Sequence, residues 1–117
     1  MYDNLTVSKG VKMKVTDLEL TQELDNGVCK VMAKGRVDGN SADLLLAKLE
    51  EALKNGYKTI ILNMSQVEYL SSIGIRVILK IYKQAFEESG TFNIERPSEI
   101  VKNVLGMVAL QEMLVTY

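Results

Sequence analysis

Two adjacent hydroxyls and a glycine, in Ser71-Ser72-Ile73-Gly74, stand at the mouth of a strongly apolar stretch that runs on to Tyr82. A serine hydroxyl can attack as a nucleophile, accept a phosphoryl group, or cap a helix by accepting a hydrogen bond from a first-turn N–H. Nucleophilic attack needs a base, yet the chain has no histidine, and no lysine or aspartate adjoins the serines to activate them. Leu70-Ser71-Ser72-Ile73-Gly74 is not a Gly-x-Ser-x-Gly elbow either, because leucine holds its first place. No glycine loop for a phosphate and no Cys or His cluster for a metal occurs. The reading is therefore a protein that is not an enzyme, with no catalytic residue, no metal and no cofactor. Asp38 could converge with the serines at one sheet edge, as a turn or cap group or as part of a site.

The elements that must position these residues follow from the apolar pattern. Thr59 to Met64 is a short apolar run of the kind buried on both faces of a parallel sheet, and Ser65 to Leu70 is short enough for a βα loop. Such loops, at the carboxyl ends of parallel strands, are where α/β proteins place working residues. At roughly 100° per residue, Ile75, Ile78, Leu79, Tyr82, Ala85 and Phe86 share one face of the following helix, opposite Arg76, Lys80, Lys83, Gln84 and Glu87. That face is the expected core. Ile73 and Val77 fall within or beside the polar arc and are expected to be exposed; joined to the serines, they suggest a docking surface.

Upstream, Val11, Met13 and Val15 alternate with polar residues, and the phase shifts at Thr16-Asp17, as a bulge or break would cause. Asn26-Gly27 suits a tight hairpin turn into a second alternating run with Cys29, Val31, Ala33, Gly35 and Val37 on one face. Asn40 or Ser41 then caps a helix carrying Ala42, Leu45, Leu46, Leu49, Ala52 and Leu53, which Asn55-Gly56 stops. After the serine-led helix, Thr91 to Glu95 reads as a strand, Pro97-Ser98-Glu99 starts a last helix, and Met113 to Tyr117 is expected to pack back as an extended segment. Strands are predicted near 16–24, 28–37, 59–64 and 91–95, and helices from near Asn40, Ser72 and Ser98.

The chain has 117 residues, 47% of them hydrophobic, which suffices for one ordinary core without staples. A net charge of −1 with dispersed charges argues against nucleic acid and anionic membranes as partners. The single cysteine, Cys29, excludes an internal disulfide and reads as a buried thiol. No stretch reaches the length of a transmembrane helix and the amino terminus lacks a signal-peptide layout, so a cytoplasmic protein is expected.

Three motifs together resemble the STAS domain of bacterial anti-sigma factor antagonists. Gly35-Arg36-Val37-Asp38 with Asn40-Ser41-Ala42 resembles the family's Gly-x-Leu/Val-Asp strand end and helix start. Ile61 through Leu79 resembles its central strand, loop and helix, written Asp-Leu-Ser and then Ile-Ser-Ser-Ala-Gly-Leu-Arg or Asp-Ser-Ser-Gly-Leu-Gly. Val104-Leu105 through Leu110, Leu114 and Tyr117 resembles its closing pattern. Against the Asp-Ser-Ser-Gly form, Ser71 stands in the aspartate's place and Ile73 in that of the accepting serine, and Asn63 replaces the usual strand aspartate.

The resemblance implies a single α/β domain over 1–117, with 1–10 extended or flexible, and a mixed four- to five-stranded sheet with helices mainly on one face. It also implies a role: binding an anti-sigma factor, often a serine kinase, and so releasing a sigma factor, with serine phosphorylation as the off switch. The phosphoacceptor candidates are Ser72 and, second, Ser71; the partner-binding candidates are Asp38, Ser71, Ser72, Ile73, Arg76 and Val77. The alternative is a STAS-type regulatory subunit of another complex, such as a transport or sensory assembly.

Overall fold

A computed structural model describes residues 11–15, 17–110 and 115–116, with side chains for 17–110. In chain order the elements are β1 (Val11–Val15), β2 (Leu18–Asp25), β3 (Val28–Val37), α1 (Ala42–Lys54), β4 (Thr59–Leu70), α2 (Ser72–Glu87), β5 (Thr91–Glu95), α3 (Glu99–Met107) and β6 (Val115–Thr116). The strands lie side by side in that same order. β1 and β2 pair antiparallel, as do β2 and β3, and the pairs from β3 to β6 are parallel. The expected mixed sheet is thus β2 to β5, with β1 and the two-residue β6 extending its edges. Each parallel step advances one strand in the same direction, so crossovers of one hand carry α1, α2 and α3 over the same face.

That covered face holds the core: Leu18, Leu20, Cys29, Val31, Ala33, Ile60, Leu62, Phe92 and Ile94 of the sheet, under Leu45, Leu49, Ile78, Ile81, Val101 and Leu105 of the helices. On the other face, the residues of β2 and β3 that alternate with the core stand directly opposite one another as Glu19 to Lys34, Thr21 to Met32 and Glu23 to Lys30. Opposite charges in cross-strand register favour each other and let this face meet water.

The phase shift at Thr16-Asp17 is a reversal of the chain. Val15 pairs with Leu18, so the run before Asp17 forms a separate strand, and the strand expected over 16–24 occupies Leu18–Asp25. Thr16 itself, like residues 1–10, Met113, Leu114 and Tyr117, lies outside the described residues; the extended tail is seen at Val115 and Thr116, beside Ile94 and Glu95. The Asn26-Gly27 turn is as predicted, with φ of 47° and 81°, the left-handed values that a two-residue hairpin needs.

β4 departs most from expectation, for the segment read as a loop over 65–70 continues the strand. Its register against β3 slips twice, between Met32 and Lys34 and between Gly35 and Arg36, and each time β4 carries the extra residue. Two such bulges turn a period of two into a period of three, so that Met64, Val67 and Leu70 all reach the core. Beyond Asn63 its pairing with β5 ends. There α3 takes over, Ser98 N–H donating to Met64 O (3.1 Å) and Ser98 Oγ to Val67 O (2.7 Å), while Ser98 Oγ also accepts from Val101 N–H (3.3 Å) as the expected cap.

The face of α2 that packs inward is Gly74, Val77, Ile78, Ile81 and Ala85, about one residue round from the predicted arc. Val77 is 6% exposed, whereas Leu79 (37%) and Phe86 (76%), expected in the core, face solvent. The cause is Gly74. A Cβ built there would lie 2.6 Å from Leu70 Cδ1 and 2.8 Å from Val37 Cγ1, so the missing side chain lets the helix seat on the ends of β3 and β4. Glu50 of α1 fixes the other flank, accepting from Gln84 Nε2 at 2.9 Å with Lys80 Nζ at 3.9 Å.

Candidate functional site

At the carboxyl end of β3 the chain passes under the start of β2. Gly35 has φ +115°, and a Cβ there would lie 1.9 Å from Asp17 O; the space is used by a backbone bond, Arg36 N–H donating to Asp17 O at 2.9 Å. The next residues knot into a turn. Ser41 is the N-cap residue of α1, yet its hydroxyl makes no cap bond: it donates to Arg36 O (2.8 Å) and accepts from Asp38 N–H (3.0 Å). Asp38 Oδ1 accepts from Asn40 N–H at 3.0 Å, an Asx-type turn, and Oδ2 stands 3.5 Å from Arg36 Nε. Of the two roles open to Asp38, the turn is the one its oxygens perform.

The end of β4 lies beside this knot. Ser71 N–H donates to Val37 O at 2.9 Å, carrying the ladder one step past Leu70. Ser71 then caps α2, its Oγ accepting from Gly74 N–H at 3.3 Å with an extended backbone (φ −88°, ψ 173°). Ser72, one position further, is the first residue of the helix and is exposed. The two hydroxyls therefore differ: one is engaged in holding the helix, the other is offered to solvent.

Ile73 is 43% exposed and leans over the β3–α1 turn, its Cδ1 3.4 Å from where a Gly39 Cβ would stand. Asp38, Gly39 and Asn40 thus meet Ser71, Ser72 and Ile73 at one end of the sheet. Arg76 is exposed, one helical turn beyond Ser72, with no salt bridge among the described residues. Val77 does not join them. It is core, because the seating of Gly74 turns it inward, and its expected place on a docking surface is withdrawn. Two residues outside the sequence-based set do join: the Arg36 guanidinium lies 4.2 Å from the Tyr69 ring centroid, and Tyr69 is 39% exposed. Their pairing depends on the second bulge of β4, which puts Tyr69 opposite Arg36, and no sequence period signals that.

Among the described residues no three of His, Cys, Asp and Glu gather as metal ligands, and no helix is long and apolar enough to cross a membrane. Cys29 is buried, and that burial raises its thiol pKa to about 11 against the opposing pull of Lys48, which leaves it protonated and unreactive. Asn63, on the uncovered face, is 6% exposed. Its Nδ2 donates to Glu95 Oε2 (3.2 Å), its Oδ1 accepts from Ser65 N–H (2.9 Å) and Ser65 Oγ (2.8 Å), and Lys30 Nζ lies 3.2 Å from the same Glu95 oxygen. An amide fits here because it can donate to the neighbouring carboxylate.

The STAS domain family model matches residues 19–117. The chain is 29% identical over 73 residues to BtrV of Bordetella bronchiseptica, named for anti-sigma factor antagonism, covering 62% of this chain and 63% of BtrV, less than two thirds of that relative's length. It is 24% identical over 102 residues to the anti-sigma F factor antagonist of Paenibacillus polymyxa, covering 86% and 87% of the two chains. Its fold is similar to the Bacillus protein SpoIIAA. In the unphosphorylated form the TM-score is 0.73 at 20% identity over 84% of this chain and 88% of that one; in the phosphorylated form it is 0.67 at 18% over 84% and 91%.

Proposed function

The chain belongs to the STAS domain family, and from that premise we propose that it is a cytoplasmic anti-sigma factor antagonist: a binding protein that engages an anti-sigma factor and so releases a sigma factor. The observation that carries this reading is the end of the sheet itself. There a free hydroxyl at Ser72, the apolar Ile73, the cation Arg76 and the Arg36–Tyr69 stack surround a turn held rigid by its own hydrogen bonds. A stiff scaffold presenting one apolar anchor with a polar rim suits protein recognition. The hydroxyls serve a cap and solvent rather than a nucleophile's geometry, and the named relatives are regulators of the same kind.

Regulation follows from the two serines. Phosphorylation at Ser72 places about −1.5 to −2 charges beside Ile73 on the docking surface, where an apolar contact would otherwise form. The amides of the first turn and the positive end of the helix dipole accommodate that charge in the folded domain, so the partner surface suffers and the fold does not. Ser71 is the lesser acceptor because its oxygen is engaged with Gly74 N–H.

Titrating the purified chain, by calorimetry, against each anti-sigma factor encoded in its own genome tests the reading. One should bind, and Ile73→Glu should weaken that complex at least about tenfold with the circular dichroism spectrum unchanged, the loss expected for a central anchor. If none binds, or if Ile73→Glu binds as the parent does, the proposal is wrong.

A further inference from the structure

Between Ser72 and Phe86, α2 carries Arg76, Lys80 and Lys83 and no carboxylate. Lys80 is turned to Glu50 of α1, whereas Arg76 is exposed, has no ion pair among the described residues, and stands four positions after the exposed Ser72. Residues spaced i and i+4 are neighbours on a helix surface, and an acid placed N-terminal to a cation at that spacing is the favourable orientation. The guanidinium fork also matches phosphate oxygens. We propose that Arg76 is the internal counter-ion of a phosphate on Ser72, so that modification both adds negative charge and withdraws Arg76 from the partner. This rests on Ser72 as the phosphoacceptor.

The chemistry requires a serine kinase and ATP. The γ-phosphoryl group moves to Ser72 Oγ, the bond to the departing ADP oxygen breaks, and the hydroxyl proton goes to water. No other charge near this end of the sheet can replace Arg76. Arg36 is drawn to Asp38 and stacked on Tyr69, Asp38 is turned into its own loop, and Glu68 has the sign of the phosphate itself. Antagonist function thus depends on Arg76 being uncovered in one state and occupied in the other.

The test needs neither kinase nor partner. Phosphoserine is installed at position 72 of the full chain by genetic encoding, and the second ionisation of the phosphate, ordinarily near ~6, is followed by phosphorus NMR against pH. Arg76→Gln removes the charge but keeps the helix start and its amides, so any change reports the arginine alone. We expect the midpoint to rise by about 0.2–0.4 pH in Arg76→Gln, the size of an i,i+4 ion pair, and Arg76→Lys to fall between that variant and the parent. A rise below about 0.2 overturns the proposal. Binding of the unmodified chain to an anti-sigma factor is a separate measurement, so either reading can fail while the other stands.

Discussion

Gly35→Ala should be among the most damaging single changes this chain can carry. Two costs add. The backbone at φ +115° is a region that L side chains rarely adopt, and holding one there costs on the order of 1–3 kcal/mol. The new Cβ would also sit 1.9 Å from Asp17 O, so the start of β2 must lift away and the Arg36 N–H to Asp17 O bond is lost, for about another 0.5–1.5 kcal/mol. The sum, about 2–4 kcal/mol, is a large part of the roughly 5–15 kcal/mol that stabilises a typical domain. With a urea slope of about 2 kcal/mol/M, the unfolding midpoint followed by circular dichroism should fall by about 1–2 M. A fall under about 0.3 M would mean that β2 does not close over Gly35, and the account of the Gly-x-Val-Asp strand end given above would be wrong.

Val77→Asp should unfold the protein or cost at least about 3 kcal/mol, since it buries an unpaired carboxylate, while Leu79→Ser and Phe86→Ser on the exposed side should stay within about 1 kcal/mol by the same urea titration. Ser71→Ala should lose the cap bond and about 1 kcal/mol; Ser72→Ala should cost nothing measurable but prevent phosphorylation by a cognate kinase, as mass spectrometry will register. Asn63→Asp sets a second carboxyl 3.2 Å from the Glu95 oxygen, and like charge raises the introduced group's folded pKa above its unfolded value of about 3.9. A group raised in that sense favours the fold at low pH and loses that contribution as pH rises through the folded pKa. The variant should therefore nearly match the parent near pH 3–4, where an acid O–H can donate as the amide does, and fall behind it by about 1–3 kcal/mol at pH 7.

What could be read from the sequence was whatever repeats or punctuates. The Asn26-Gly27 hairpin, the central strand from Thr59, the serine-led helix and the Ser98 cap all follow from local chemistry, and the order of strand and helix then gives the topology. The two bulges of β4 could not be read. Nothing in Ser65 to Leu70 distinguishes a loop from a strand with extra residues, because the evidence of pairing lies in β3. The facing of α2 was missed for a related reason. Its apolar residues cover more than one arc, and the choice between them is made by the contact of Gly74 with Leu70 and Val37, not by periodicity. Ile73 was placed correctly outside, and Val77 wrongly, by the same wheel.

The strands lie across the sheet in the order in which they lie along the chain. A nascent polypeptide emerging from the ribosome therefore never has to insert a late strand between two early ones. The β2–β3 hairpin closes locally, and each later strand finds the edge it needs already built, so loop closures stay short and assembly is favoured as synthesis proceeds. Asp38, Ser71, Ser72, Ile73 and Arg76 all belong to the portion made before β5. The recognition end can take shape while the last quarter of the chain is still being translated, and that late portion serves to close the remaining edge with α3 and β6.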